Sequence, residues 1–275
     1  MDATALLSFL AIILYLAVGF GLALGYFHAN RGILAISTVG AVFALVVHGV
    51  EIWMVMDTPA GWDVNFLNTL SLSAWAIGLV LLVTGVWART IEAGIIIFPG
   101  TALCLALQWL TGIEPLLLGE LSTVLEAHVV TSLLAYSLLG IAAIHALMLA
   151  FQDYALRHPR PIRQLEMLPP LAVIETVMFR LIAVGWIVLT ASLVTGLTYL
   201  ENLFAQHLAH KTFLSLLSWV LFGLLLGGRW WYGWRGRRAV HWTLAAMAVL
   251  LLAYFGSKLV LEVFLDRSWM MPPEP

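Results

Sequence analysis

Histidines are the side chains of this sequence with the clearest capacity for chemistry. His207 and His210 stand with Lys211 directly in front of a long apolar run, in the stretch AQHLAHKTFLSLLSW. His128 begins another apolar run, and His48 lies deep inside a third. A neutral imidazole is a good ligand for haem iron or zinc, and two imidazoles from separate elements could hold a haem between them. The ammonium group of Lys211 could pair with a haem carboxylate.

Membrane-spanning helices must position these side chains. Of the 275 residues, 62% are hydrophobic and 10% are charged, whereas a soluble domain has about 25% charged residues. A helix that crosses a bilayer needs about 20 mostly apolar residues, and the chain offers eight such runs. The predicted spans are 3–25, 33–55, 67–87, 93–110, 124–151, 172–200, 212–229 and 239–264. We therefore predict an all-α fold, a polytopic membrane helix bundle that forms a single membrane domain over residues 1–275.

Arginines predict the orientation of the bundle, because positive residues in short loops are retained on the cytoplasmic side. One set of alternate loops holds Arg31, Arg89, Arg157, Arg160, Arg163, Arg229, Arg235, Arg237 and Arg238. The other loops and the C-terminus carry only Lys211 and Arg267. Both termini are therefore predicted to face outward.

This orientation sorts the histidines by depth. His48 lies about 22 Å from the inner edge of its helix, given a rise of ~1.5 Å per residue. His128 opens the fifth span from its outer end, and His207 and His210 stand just before the seventh span, also on the outer side. Three elements thus present imidazole at similar depth, although a core histidine bonded to a neighbouring carbonyl is the alternative for His48. His145 lies about 25 Å deeper than His128 and cannot share a site with it; it is predicted to be a packing residue, with a second, inner site as the alternative.

Several classes of protein do not fit this sequence. Cys104 is the only cysteine, so the chain has no CxxC pair for thiol exchange and no CxxCH site for covalent haem. It contains no P-loop and no HExxH zinc motif, and its formal net charge of −2 gives no reason to expect a nucleic-acid partner. No group of residues resembles an enzyme active site, and we predict a protein that binds and transfers rather than catalyses.

Four stretches, in the same order and approximate spacing, resemble the CcsA-type cytochrome c assembly proteins. The first stretch, HVVTSLLAYSLL at 128–139, is similar to a family helix of the type HVSMMLLSYAAL. The second resembles the family motif YRxIxxGFxxLTxGIxxG and consists of Glu175, Phe179 and Arg180 followed by IAVGWIVLTASLVTG. The segment that begins HKTFLSLLSW at His210 and the AYFGSK sequence resemble two further motifs. GWRGRR at 233–238 is the most specific match.

The resemblance implies a fold and a function. CcsA-like proteins are membrane proteins that export haem, present it to apocytochrome c and ligate it through histidines on the outer side and within the membrane. It therefore implies a bound, non-covalent b-type haem, a bacterial inner (cytoplasmic) membrane location and contact with other assembly or membrane proteins. His128 matches one outer haem ligand, and His48 is a candidate for an embedded one. Spans 5–8, at 122–265, form the CcsA-like core, and 1–110 holds four N-terminal spans.

The sequence also departs from that family. The tryptophan-rich WGxxWxWD loop should precede Lys211, but the residues there, YLENLFAQHLAH, contain no tryptophan. The second outer histidine, expected after AYFGSK, is also absent. The short loops and the HKT sequence look closer to the YpjD and HemX branch of the superfamily. We therefore expect His210 to supply the ligand opposite His128, with Lys211 holding a haem carboxylate and His207 as the alternative ligand one helical turn away.

Two other functions remain open from the sequence. A regulatory or structural membrane subunit, acting in tetrapyrrole synthesis or ion homeostasis, would bind another membrane protein without haem. A small-molecule or ion permease would need a polar path through the bilayer. The deep polar residues available for such a path are His48, Glu51, His145, Lys258 and Glu262.

Overall fold

The chain folds into eight long apolar helices, as a computed structural model shows. The structure describes residues 3–59, 61–88, 91–111, 115–118, 123–157, 170–199 and 206–256. The helices are α1 (Ala3–Phe27), α2 (Arg31–Met56), α3 (Phe66–Ala88), α4 (Gly94–Leu110), α5 (Thr123–Arg157), α6 (Leu171–Tyr199), α7 (Gln206–Tyr232) and α8 (Gly236–Leu251). All eight are long and apolar enough to cross a membrane. The spans of α4 and α8 reach this length by including residues of the short helical turns that adjoin them, Ile91–Ala93 and Leu252–Gly256. The predicted all-α, polytopic bundle is confirmed.

Two helices extend well beyond their predicted spans. α5 continues to Arg157, where an ion pair between Arg157 and Asp153 at 3.0 Å stabilises a last turn that is no longer apolar. α7 begins at Gln206, so His207 and His210 lie in its first turns and not in a loop before it. Apolar runs mark the part of a helix inside the bilayer, whereas the helix itself continues wherever backbone hydrogen bonds can form.

Consecutive helices run in opposite directions, so the bundle has two chemically distinct ends. At one end, β1 (Asp57–Thr58), β2 (Gly61–Asp63) and β3 (Leu117–Leu118) form a small antiparallel sheet. We call this the sheet end. The opposite end, which we call the arginine end, carries Arg31, Arg157, Arg229, Arg235, Arg237 and Arg238 at helix termini and in the α7–α8 turn.

The helices pack as two groups that meet at α5. In the first group α1 contacts α2 and α4, while α3 contacts α2 and α4; in the second, α6 and α8 contact α5 and α7. α5 also contacts α3 and so joins the groups. The α5–α6 contact is the most extensive, and a Cβ atom at Gly185 would come within 2.8 Å of the Leu139 side chain. The absence of a side chain at Gly185 therefore permits this close approach, as small residues do between membrane helices.

The GWRGRR motif forms the tight turn between α7 and α8. Gly233 and Gly236 have φ values of +64° and +56°, in the left-handed region that favours glycine. The Trp234 backbone N–H donates to the Gly228 carbonyl at 3.0 Å, and the Trp234 ring covers Gly228 so closely that a Cβ atom there would overlap it. The motif thus has a structural role at the arginine end.

A buried carboxylate ties this turn to α6. Glu175 accepts a hydrogen bond from Arg229 Nη1 at 3.1 Å, and Arg235 Nε lies 3.5 Å from the same oxygen. The Arg229 guanidinium also lies 4.7 Å from the centroid of the Phe179 ring. Because Glu175 is 7% exposed, its two arginine partners supply the charge compensation that an apolar core cannot.

Removing this carboxylate tests its contribution to stability. We expect Glu175→Ala to lower the free energy of unfolding by roughly 1–2 kcal/mol, less than for a fully buried pair because Arg229 and Arg235 are partly solvated. Unfolding in mild detergent, followed by circular dichroism, measures the change. Asp153→Ala is the matched control, because it breaks only the more exposed pairs of Asp153 with Arg157 and Arg237 and should cost less than about 1 kcal/mol. Equal losses in the two variants would contradict this account.

Candidate functional site

The His128 imidazole is held in one tautomer near the start of α5. Its Nδ1 atom lies 2.9 Å from the carbonyl oxygen of Ser192 on α6. Since a carbonyl can only accept, Nδ1 carries the proton and Nε2 keeps its lone pair. No residue in the described part of the chain is hydrogen-bonded to Nε2. A histidine that ligates a metal is commonly oriented in this way, by a backbone carbonyl on its other nitrogen.

Gly196 on α6 has no side chain, and this leaves space for the His128 ring between the closely packed helices α5 and α6. A Cβ atom at Gly196 would lie 2.8 Å from His128 Cε1 and 3.0 Å from His128 Nδ1. Beside the ring, the hydroxyl groups of Ser132 and Ser192 are 2.8 Å apart, and Ser132 also donates to the His128 carbonyl at 2.6 Å. The ring is therefore positioned by its packing against Gly196 and by its hydrogen bond to the Ser192 carbonyl.

A tryptophan pair sets α7 against α6. The Trp186 and Trp219 rings stack with centroids 5.2 Å apart and an interplanar angle of 17°. Trp186 Nε1 donates to the Trp219 carbonyl at 2.9 Å, and Trp219 Nε1 donates to the Thr190 hydroxyl at 2.8 Å. At a rise of about 1.5 Å per residue, Ser192 lies about 9 Å beyond Trp186 along α6, and His210 lies about 14 Å beyond Trp219 along α7, both toward the sheet end. The backbone of His210 thus lies about 5 Å, or one helical turn, closer to the sheet end than that of Ser192. The side chains of His207 and His210 lie outside the described residues.

Lys211 contacts an aromatic cluster at the same end. Its Nζ atom lies 5.8 Å from the centroid of the Tyr254 ring, a cation–π contact. Tyr254 packs against Phe255 and Tyr136, and Phe255 packs against Phe66 of α3. The Tyr136 hydroxyl donates to the Leu250 carbonyl at 2.8 Å. The conspicuous AYFGSK sequence therefore supplies two rings of a cluster that joins α3, α5, α7 and α8.

His48 is a fully buried residue with both ring nitrogens engaged. Its Nδ1 lies 3.0 Å from the Tyr15 hydroxyl of α1, and its Nε2 lies 2.9 Å from the Ser71 hydroxyl of α3. Its partners are thus two hydroxyls and not the single carbonyl considered from the sequence. Iron ligation by His48 would require one of these bonds to break. Because His48 contacts α1 and α3 and His128 contacts α6, the two imidazoles belong to separate surroundings.

The other deep polar candidates for a permeation path that the structure describes are His145 and Glu51. Glu51 lies about one helical turn from His48 and accepts a hydrogen bond from Ser8 at 2.9 Å. His145 is fully buried, and its Nδ1 bonds the Ile141 carbonyl of its own helix at 2.8 Å. Lys258 and Glu262 lie outside the described residues. In the ranges that the structure describes, no three His, Cys, Asp or Glu residues come together as a metal site would require. A haem needs at most two ligating side chains from the protein, so fewer residues have to come together to hold it.

Comparisons with known proteins extend over both halves of the chain. A family model described as "Cytochrome C assembly protein" matches residues 4–265. The inner membrane protein YpjD of Escherichia coli K12 is 34% identical over 265 residues, which cover 96% of this chain and 99% of that protein. An uncharacterized 28.8 kDa protein in the nifR3-like 5′ region of Azospirillum brasilense is 31% identical over 235 residues, or 74% of this chain and 86% of that protein. No solved structure matches significantly.

The buried His48 contacts generate a stability prediction. His48→Leu removes two hydrogen bonds and leaves the Tyr15 and Ser71 hydroxyls buried without that partner, so we expect a loss of about 2–4 kcal/mol in the free energy of unfolding. Denaturant titration in detergent measures it. His28→Leu, at an exposed histidine that bonds only the Leu24 carbonyl, is the control and should change stability by less than about 1 kcal/mol. A His48→Leu protein as stable as the control would show that the two bonds contribute little.

Proposed function

This chain belongs to the cytochrome c assembly protein family, and we propose that it binds haem non-covalently near the sheet end of the bundle through His128. Membership of this family and the eight apolar helices support a haem-handling, multi-pass membrane protein. In our proposal the protein acts by ligation and transfer of haem and not by catalysis. The haem is of the b type.

The observation that carries this proposal is the hydrogen bond from His128 Nδ1 to the Ser192 carbonyl. It presets the neutral tautomer whose Nε2 lone pair an iron requires, and it removes the need to reorient the ring on binding. A haem, when bound, supplies the iron and two carboxylates. The protein contributes a fixed imidazole at the α5–α6 contact, where Gly196 leaves room for it.

In this proposal α7 would supply a second side chain to hold the haem iron. His210, with His207 as the alternative one turn earlier, lies in the first turns of that helix, which the Trp186–Trp219 stack holds against α6. Lys211, whose Nζ atom contacts the Tyr254 ring, would pair with a haem carboxylate. His48 is the remaining candidate for an embedded ligand, at the expense of one hydroxyl contact.

The arginine pattern supports an orientation for this site. With the arginine end in the cytoplasm, as the positive-inside rule requires, the sheet end, both termini and His128 face outward. We place the protein in the bacterial inner membrane, the location that the name of the Escherichia coli relative gives for that protein. Its partners are then haem and other membrane or cytochrome c assembly proteins that receive or supply it.

Absorption spectra of the purified full-length chain test the proposal. Expressed with haem available and purified in mild detergent, the protein is expected to show a Soret band and sharp reduced α and β bands. His128→Ala should lose at least tenfold in haem per folded protein, because the fixed ligand is gone. His241→Ala, an exposed histidine on α8 at the arginine end, is the matched control and should keep the full spectrum.

The α7 histidines are distinguished in the same measurement. His210→Ala should convert the spectrum from low-spin to high-spin, because one axial position opens, and His207→Ala should leave it unchanged. The reverse result would assign the second ligand to His207. A His210→Ala protein and a His207→Ala protein that both kept full haem and an unchanged spectrum would refute ligation from α7, and a colourless wild type would refute haem binding itself.

The packing of His128 against Gly196 gives an independent prediction. Gly196→Ala places a methyl group against the His128 ring, which must shift, and we expect haem content to fall several-fold while the helical circular dichroism is retained. Gly100→Ala on α4 is the control, because a Cβ atom there meets nothing within 4 Å. Full haem content in Gly196→Ala would show that ligation does not depend on the position of this ring.

A further inference from the structure

A second site is visible in the other half of the bundle, at the sheet end between α1, α2, α3 and α4. It is a cavity of about 260 Å³. The polar residues that matter in its lining are Ser8, Glu51, Asp63, Asn68 and Gln108, and Trp109 forms part of an apolar wall. None of these residues belongs to the proposed haem site.

Glu51 lines this cavity and carries an unsatisfied acceptor. The residue is 2% exposed, and its Oε1 atom accepts a hydrogen bond from the Ser8 hydroxyl at 2.9 Å. Its Oε2 atom is buried and has no hydrogen-bond partner among the described residues. A buried acceptor without a donor costs free energy, so a donor supplied by a ligand would be favourable here.

Gln108 also lines the cavity. Within the described structure, neither its Oε1 nor its Nε2 has a partner, although both atoms are buried. The cavity wall therefore offers an amide oxygen and a carboxylate oxygen that accept, and one amide nitrogen that donates. The surplus of acceptors calls for a ligand that is mainly a hydrogen-bond donor.

The charge of the residues that line the cavity also favours a ligand that donates hydrogen bonds. Asp63 accepts four hydrogen bonds, two from Asn65, one from Asn68 and one from the Leu116 backbone N–H, at 2.9–3.2 Å. These neutral donors hold the carboxylate in place without cancelling its charge. Among the described residues, those that line the cavity include two carboxyl groups and no lysine, arginine or histidine. The cavity therefore favours a positively charged occupant.

We propose that this cavity binds a small organic cation that carries a primary ammonium group. Its N–H groups would donate to the free oxygens of Glu51 and Gln108, and the Trp109 ring beside them suits a cation or its alkyl chain. A bare metal ion fits less well, because the cavity is larger than such an ion needs and no three metal-ligating side chains converge in the described chain.

Thermal unfolding of the full-length protein in detergent tests this proposal, with ethylammonium chloride as the probe. A ligand that binds the folded state raises the unfolding midpoint in a saturable way. We expect such a rise relative to equal concentrations of sodium, potassium or magnesium chloride. Glu51→Gln keeps the shape and the Ser8 contact but removes the charge, and it should weaken the apparent affinity at least tenfold.

Two further variants make the result specific. Glu92→Gln is the matched control, because Glu92 is also 2% exposed with a buried, unpartnered Oε1, yet it lies in the Ile91–Ala93 turn and does not line the cavity. It should keep the wild-type rise. Gln108→Met removes the amide without changing any charge and should also weaken binding, so the proposal remains testable if Glu51→Gln fails to fold.

The opposite outcomes are equally clear. No rise with ethylammonium, an equal rise with an inorganic chloride, or an unchanged rise in both Glu51→Gln and Gln108→Met would each overturn the proposal. His128→Ala should leave the ethylammonium effect intact, because His128 contacts α6 and not the cavity. Failure of the haem proposal and failure of this one are therefore separate results.

Discussion

The contact between α5 and α6 determines the surroundings of His128 and the positions of the helices packed beside it. The two helices approach closely because Gly185 and Gly196 have no side chains at the points where Leu139 and His128 meet them. α6 then carries Trp186, which sets α7, and Glu175, which sets the α7–α8 turn. α5 in turn carries the contacts to α3 that join the two helix groups. A change in this one packing distance would alter the His128 environment and the placement of α7 together.

Polar side chains inside such a bundle have to find partners within the protein, because lipid chains offer no hydrogen bonds. His48 satisfies this requirement completely, with one hydroxyl on each ring nitrogen. His128 satisfies it at one nitrogen and leaves the other available. Glu51 and Gln108 leave atoms unsatisfied beside a cavity. His145 also leaves its Nε2 atom without a partner among the described residues, so an unpaired nitrogen alone does not identify a ligand site.

Some of the motifs that resemble the family have a structural role in this chain, whereas others contain the proposed ligands. GWRGRR, the most specific of them, lies at the arginine end, where its glycines permit the turn and Arg229 and Arg235 neutralise Glu175. The proposed haem ligands and the cavity both lie toward the opposite end. In this chain the signature sequence thus stabilises a turn between two helices and lies away from the proposed ligand sites.

The sequence by itself determined the eight spans, the family and the candidate histidines, because apolar runs of bilayer length and local motifs are properties of neighbouring residues. It did not determine which imidazole nitrogen is available. The partners of His48 come from Tyr15 and Ser71, on two other helices, and the partner of His128 is Ser192, on α6. The cavity around Glu51 likewise needs four helices and the segments that connect them. Only the tertiary structure could decide these points, because hydrogen bonds between helices depend on the distance and rotation at which the helices pack, and no local pattern in the sequence encodes these quantities.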